Sequence, residues 1–165
     1  MIDQQPLADS HRSMEILLLE DNPADTYLFL SILQSLSARL HVTAVDSGAQ
    51  ALDLLFQRGR YAKSLRPDLI VLDLNVPILN GHEVLNVIKS NSVLRSIPVL
   101  VWSASAQPHD VKRAYDLGAS TYLVKPMELE HMESMLTGLA AFWIKLAAYP
   151  IQVDGDKAQV VTRFG

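Results

Sequence analysis

LIVLD, at residues 69–73, is a run of four apolar residues that ends in a carboxylate. A short run of leucine and β-branched residues without polar alternation is typical of a strand buried on both faces, as in parallel sheets. Similar runs recur at residues 16–19, 40–45, 99–102 and 121–124. The pattern therefore predicts five strands of one parallel sheet.

Helix signals lie between these runs. Most of the predicted helices begin with an N-capping residue or a first-position proline. Their predicted starts are Asn22-Pro23, Ser47, Asn80, Pro108 and a position near Glu128. The last helix is predicted to extend to Ala148. Strands that alternate with helices imply right-handed crossovers and an open, doubly wound α/β sheet with helices on both faces.

Length and composition fit one compact domain. The chain has 165 residues, 49% of them apolar, with no cysteine and a net charge of −4. The acidic balance argues against nucleic-acid binding through a basic face, and the lack of cysteine excludes a disulfide scaffold. No apolar run approaches the roughly 18 residues that a membrane span needs. We expect a cytoplasmic protein with a flexible leader (1–13), one domain (14–148) and a C-terminal tail (149–165).

Polar residues follow the apolar runs at the positions where ligands bind in open α/β sheets, beyond the carboxyl ends of the strands. Glu20 and Asp21 follow the first run, and Asp73 ends the third. Ser103 ends the fourth run, and Lys125 ends the fifth. The sequence therefore predicts that three carboxylates, a hydroxyl and an ammonium group share one edge of the sheet.

These groups indicate phosphoryl chemistry. Three neighbouring carboxylates require a compensating cation or raised pKa values, and Mg²⁺ is the cation that suits a partly hydrated oxygen site. Together with Lys125 and a hydroxyl donor, the ion would neutralise the oxygens of a phosphoryl group. A carboxylate at the centre can act as a nucleophile and form an aspartyl-phosphate, and Asp73 is the candidate.

Each of these residues also has an ordinary explanation when it is considered alone. Glu20 and Asp21 could be acids at the start of a helix, and Asp73 could be a common strand-end acid. Ser103 could be a turn residue and Lys125 a solvated charge. The joint arrangement at four strand ends favours the functional interpretation.

A known family has the same residues in the same order. The residues concerned are Glu20-Asp21, Asp73, Ser103 and Lys125-Pro126 on a βα repeat. This constellation resembles the receiver domain of two-component response regulators, over about residues 14–148. The resemblance implies a flavodoxin-like (βα)5 sheet with strand order 2-1-3-4-5. It also implies that Asp73 accepts a phosphoryl group from a histidine kinase.

The resemblance assigns metal-binding roles. It implies that Asp21 and Asp73 ligate Mg²⁺ directly, together with the backbone carbonyl of Asn75. Glu20 would act mainly through water. Lys125 would bridge to the phosphate. The resemblance also implies that the Lys125–Pro126 bond is cis.

The resemblance also assigns a switch. Ser103 would turn its hydroxyl toward the phosphate, and Tyr122 matches an aromatic residue whose side chain turns inward on activation. Serine in place of the commoner threonine at position 103 retains the hydroxyl. Trp102, directly before it, is unusually large for this strand end.

Two further features resemble the small stand-alone regulators that are paired with phytochromes. The connection before the third apolar run is lengthened by residues 58–67, and the last helix ends in Phe142-Trp143. This resemblance implies that the histidine kinase partner is a phytochrome.

The last predicted helix is apolar on more than one face. One face must cover the sheet, and the remainder indicates a partner surface. We expect a symmetric homodimer through this helix, the fourth helix and the fifth strand. The alternative is that the helix packs only on its own domain.

Two other functions remain open at this point. One is a phosphohydrolase that forms an aspartyl-phosphate, although Asn75 occupies the place of the second acid that such an enzyme needs. The other is a receiver that no longer becomes phosphorylated. The leading prediction is a phosphoacceptor signalling protein that catalyses only its own phosphotransfer and dephosphorylation, and is not otherwise an enzyme.

Overall fold

The computed structural model describes residues 13–37, 39–151 and 159–161. In this part of the chain, strands and helices alternate as predicted. The first five strands are β1 (Met14–Leu19), β2 (Leu40–Val45), β3 (Leu69–Leu72), β4 (Val99–Ser103) and β5 (Thr121–Val124). The α-helices are α1 (Pro23–Leu36), α2 (Gly48–Leu55), α3 (Gly81–Ser90), α4 (Pro108–Asp116) and α5 (Leu129–Ala141).

The sheet has the predicted doubly wound topology. Among the described residues, five parallel strands lie in the order β2-β1-β3-β4-β5. The central strand β3 is buried at every residue, as its unbroken apolar run predicts. Because β1 and β3 are neighbours, with Leu19 paired to Leu72, the polar residues that follow them emerge side by side. The flavodoxin-like fold is thus confirmed.

Apolar layers cover both faces of the sheet. Successive β1 residues point to opposite faces, so that Leu17 packs beneath α2, α3 and α4 while Leu18 packs beneath α1 and α5. Trp102 and Phe29 belong to the second layer. Burial on both faces explains why the strands lack polar alternation.

The predicted capping residues begin the helices. Asn80 accepts from the Glu83 backbone N–H at 3.0 Å, and the Glu83 side chain accepts from the Asn80 N–H at 2.9 Å. At α2, Ser47 accepts from the Gln50 N–H at 3.3 Å, but the Gln50 side chain donates to Asp46. The capping box is therefore complete at α3 and half formed at α2.

The last helix ends earlier than predicted. The α-helical part of α5 stops at Ala141, and a π-helical segment follows over Phe142–Leu146. Pro150 disfavours helical geometry in the residue before it, which limits how far the helix can continue. The prediction of a helix to Ala148 is therefore wrong.

Part of the expected tail is paired as strands. β6 (Tyr149–Ile151) pairs antiparallel with β7 (Gln159–Val161). Residues 1–12 of the expected leader lie outside the described residues, as do residues 152–158 and 162–165.

Among the described helices, none combines the length and the apolar character needed to cross a bilayer.

Gly81 lies where α3 meets the loop that follows β3. A Cβ atom at this position would lie 2.3 Å from the Asp73 carbonyl oxygen. We expect Gly81→Ala to lower the free energy of unfolding in urea by about 1–3 kcal/mol, since the added atom must displace backbone. A matched control is Gly138→Ala in α5, where a Cβ would meet nothing within 4 Å. This control should raise stability by about 0.5–1 kcal/mol, and equal effects at both sites would contradict the steric argument.

Candidate functional site

The structure brings the three predicted acids together at the carboxyl end of the sheet. Glu20, Asp21 and Asp73 each offer one carboxylate oxygen, and these oxygens lie within 4.8 Å of one another. Their proximity follows from the topology, because the Asp73 N–H donates to the Leu19 carbonyl across β1 and β3 at 2.9 Å. Glu20 and Asp73 are buried, whereas Asp21 is exposed and opens the cluster to solvent.

Lys125 follows β5 and reaches into this cluster. Its Nζ donates to Glu20 Oε2 at 2.5 Å, to Asp25 Oδ2 at 2.9 Å and to Asp73 Oδ2 at 3.0 Å. The Lys125 side chain is 7% exposed. Because an ammonium group has three protons, each of them has a carboxylate acceptor here.

Asp25 is a site residue that the sequence analysis missed. It lies in the first turn of α1, and its carboxylate is the third acceptor of the Lys125 ammonium group. An acid in this turn is explained by the partial positive charge of the helix N-terminus. The sequence therefore contains no signal that separates its contact with Lys125 from ordinary helix stabilisation.

Backbone N–H groups orient two of the carboxylates. The Asn75 N–H donates to Asp73 Oδ1 at 3.1 Å, and the Asn22 N–H donates to Glu20 Oε1 at 3.0 Å. Both oxygens of Asp73 are therefore held, one by Asn75 and the other by Lys125. The Asp73 carboxylate therefore has a fixed orientation.

Burial and hydrogen bonding at the site alter two pKa values. Burial raises the pKa of Glu20 to about 7, and hydrogen bonds from Lys125 and from the Asn22 N–H offset this effect only in part. Burial alone would lower the pKa of Lys125, but its hydrogen bonds to Glu20 and Asp25 outweigh that effect and raise it. The ammonium form of Lys125 is thus the stable one, whereas Glu20 titrates near neutrality.

The Glu20 carboxyl makes stability depend on pH in the metal-free protein. Its pKa rises from 4.5 to about 7 on folding, so its protonated form stabilises the fold below pH 4.5 and this stabilisation is lost as the pH rises through 7. In chelator, we expect the wild type to lose about 2 kcal/mol more than Glu20→Gln between pH 5 and pH 8. Urea unfolding across this range measures the difference, and parallel profiles would contradict the prediction.

The donor set fits a magnesium ion. Carboxylate oxygens are hard ligands, and the exposed Asp21 leaves room for the waters that Mg²⁺ retains. If all are ionised, the four carboxylates described here outnumber the single ammonium group by three charges. A divalent cation would offset most of this excess, so the site is suited to a divalent metal.

Ser103 and Tyr122 are linked through Ser105. Ser103 is fully buried at the end of β4, and its hydroxyl accepts from the Ser105 N–H at 3.3 Å. The Tyr122 hydroxyl donates to the Ser105 carbonyl at 2.8 Å. The Ser103 carbonyl also accepts from the Lys125 N–H at 2.8 Å. Both expected switch residues are therefore hydrogen-bonded to Ser105, and the backbone of Ser103 is also bonded to that of Lys125.

The Lys125–Pro126 bond differs from expectation. No cis peptide bond occurs in residues 13–37, 39–151 or 159–161, so this bond is trans. The expectation of a cis bond is wrong for this structure. Trans is the isomer of lower free energy for a prolyl bond, by about 0.5–1 kcal/mol.

Comparison with known proteins identifies relatives with this fold. The family model for the response regulator receiver domain matches residues 16–137. The response regulator Rcp1 of Synechocystis is 37% identical over 142 residues, which cover 86% of this chain and 97% of that protein.

Solved structures agree with this result. The phosphorylated cyanobacterial phytochrome response regulator RcpA superposes with a TM-score of 0.82 and 39% identity, over 84% of this chain and 99% of that one. The Mn²⁺-bound form of response regulator Rcp1 has a TM-score of 0.81, 37% identity and the same coverage.

Proposed function

Because the chain belongs to the response regulator receiver family and is related to the phytochrome response regulators, we propose that Asp73 accepts a phosphoryl group from a histidine kinase. One observation carries the proposal. The buried Asp73 carboxylate accepts from the Lys125 ammonium group and lies beside two further acids, with which it can share a divalent cation.

The residues of the site support an in-line transfer. A carboxylate oxygen of Asp73 attacks the phosphorus atom, the P–N bond to the kinase histidine breaks, and its electron pair stays on the imidazole nitrogen. Lys125 donates to a phosphoryl oxygen and offsets its charge. When bound by Asp21, Asp73 and the Asn75 carbonyl, with Glu20 acting mainly through water, Mg²⁺ would supply further charge neutralisation.

We propose that Ser103 and Tyr122 convert phosphorylation into a surface change. The Ser103 hydroxyl lies next to the backbone connection to Lys125, and the Tyr122 hydroxyl donates to the Ser105 carbonyl. A new hydrogen bond from Ser103 to the phosphoryl group would pull on this loop. Tyr122 would then respond, because it is bonded to the same loop.

The hydrolase alternative receives less support. An enzyme of that type needs a general acid–base two residues after the nucleophile. Asn75 stands there, and its side chain cannot transfer a proton at neutral pH, although its backbone N–H orients Asp73. We therefore propose a regulatory phosphoacceptor whose only chemistry is its own phosphorylation and dephosphorylation.

Its relatives suggest the source of the phosphoryl group. RcpA is a phytochrome response regulator, and on that basis we propose a phytochrome-type histidine kinase as the partner.

We further propose a cytoplasmic receiver domain over residues 14–148, with residues 1–13 as a leader and 149–165 as a tail.

We also propose a homodimer. Tyr115 of α4, Val124 of the edge strand β5 and Leu129 of α5 are exposed, as are Phe142 and Leu146 in the π-helical segment. A self-complementary pairing would bury these apolar groups. Light scattering at micromolar concentration should give the mass of a dimer for the wild type and that of a monomer for Phe142→Glu. A monomeric wild type would refute this assembly.

Incubation with Mg²⁺ and acetyl phosphate tests the central proposal. We expect a phosphoryl adduct in the intact mass, located on Asp73 by peptide mapping, and a stable complex with beryllofluoride. Absence of an adduct under both conditions would support a receiver that is no longer phosphorylated. Rapid turnover of an added phosphoester would instead support the hydrolase.

A further inference from the structure

We propose that Trp102 is a positioning residue for phosphotransfer, because its indole ring holds the ammonium group of Lys125 beside Asp73. This inference rests on the proposed function of Asp73. Trp102 directly precedes Ser103, the expected switch residue. It takes no direct part in the phosphoryl transfer proposed above.

The contact is direct. Trp102 lies on β4 with no exposed surface, and the Lys125 Nζ lies 4.6 Å from the centroid of its ring. A cation at this distance from an indole face is attracted by the ring quadrupole, and the attraction strengthens where water is excluded. Both side chains are almost wholly buried, so the contact lies in such a place.

The ring is buried although its own polar atom is not satisfied. Among the described residues, the Trp102 Nε1–H has no hydrogen-bond partner. Buried indoles usually have one, because an unpaired N–H lowers stability. Leucine would contribute to the same apolar layer without this penalty. Packing alone therefore does not explain a tryptophan at this strand end, whereas its contact with Lys125 does.

The ring also differs in kind from the other groups around Lys125. Glu20, Asp25 and Asp73 each accept one of the ammonium protons. The indole face attracts the charge as a whole and takes up no proton. It can thus restrain the Nζ position while the proton now donated to Asp73 is redirected to a phosphoryl oxygen.

Variants of Trp102 test the inference kinetically. We expect Trp102→Leu to slow phosphorylation by acetyl phosphate roughly tenfold, whereas Trp102→Phe, which keeps an aromatic face, should recover most of the rate. Magnesium affinity should change less than about twofold in both variants, because the oxygen ligands of the metal are unchanged.

Phe29→Leu is the matched control. The Phe29 ring packs against Trp102 at a centroid distance of 5.6 Å and belongs to the same apolar layer. If Trp102 only fills space, Phe29→Leu and Trp102→Leu should slow phosphorylation equally, and Trp102→Phe should give no selective recovery. Either result would overturn the inference.

A spectroscopic measurement tests the contact without phosphorylation. The sequence contains two tryptophans, Trp102 and Trp143, so Trp143→Phe leaves Trp102 as the sole emitter. In that background and with Mg²⁺ present, Lys125→Met should shift the emission. Glu20→Gln, which alters the same cluster but retains the ammonium group, should shift it much less.

The two failures can be distinguished. Unchanged emission in Lys125→Met would refute the contact between the ring and the ammonium group. A wild type that forms no adduct on Asp73 would refute the proposed function, even if the emission responds as expected.

Discussion

Asp73→Asn is expected to abolish the phosphoryl adduct that the wild type forms with acetyl phosphate and Mg²⁺. The amide has nearly the shape of the carboxylate and can still accept the Asn75 N–H, but it is not a competent nucleophile. Intact mass spectrometry over a time course measures the loss. The variant should remain unmodified for as long as the wild type takes to reach its plateau.

Asp46→Asn is the control for this experiment. Asp46 is an exposed acid directly after β2, where it accepts from the Gln50 side chain at 2.8 Å. It lies near the site but makes no contact with Lys125 in the described structure. Its variant should be modified at the wild-type rate, and an adduct on Asp73→Asn at a similar rate would place the phosphoacceptor elsewhere.

The Asp73 variant should also fold. Asparagine removes one negative charge from a cluster in which carboxylates outnumber ammonium groups. The metal-free variant should therefore be at least as stable as the wild type in urea. Loss of the adduct could then be attributed to chemistry rather than to unfolding.

The fold and most of the site were predictable because both depend on strand order and strand ends. The apolar run at residues 69–72 is buried on both faces, and in a parallel sheet the next residue, Asp73, must emerge at the ligand-binding edge. The same rule places Glu20 and Lys125 at that edge. The strand order does not by itself bring them into contact, because β3 and β4 lie between β1 and β5, and the long side chain of Lys125 covers the remaining distance.

Other features depend on information that the sequence pattern does not contain. The contact of Asp25 with Lys125 depends on how α1 leaves the sheet, and the contact of Trp102 depends on the direction of a long side chain. The end of α5 was overestimated because apolar periodicity over residues 142–146 does not distinguish a π-helical from an α-helical turn.

Lys125→Met is expected to have the largest combined effect on stability and chemistry. The Glu20 side chain has no exposed surface and that of Asp73 is 8% exposed, so both would lose their cationic partner in a buried place. Removing one partner from a buried ionic cluster lowers the free energy of unfolding by about 3–5 kcal/mol. We expect a loss of this size at neutral pH in chelator.

Magnesium should separate the two roles of this lysine. An ion held by the remaining carboxylates supplies positive charge, so added Mg²⁺ should recover part of the lost stability. It should not restore the rate, because Lys125 donates to the phosphoryl group directly in the proposed mechanism. Phosphorylation by acetyl phosphate should remain slower by about 10²–10³-fold, the effect of losing one preorganised donor.

Lys112→Met provides the comparison. Lys112 pairs with Asp116 at 2.5 Å, but the two side chains are 76% and 60% exposed. An exposed pair of this kind contributes less than about 1 kcal/mol, so its loss should scarcely alter urea unfolding or the phosphorylation rate. If Lys125→Met were as mild as Lys112→Met in both measurements, the buried cluster would not be what stabilises the site, and Lys125 would not be its phosphoryl donor group.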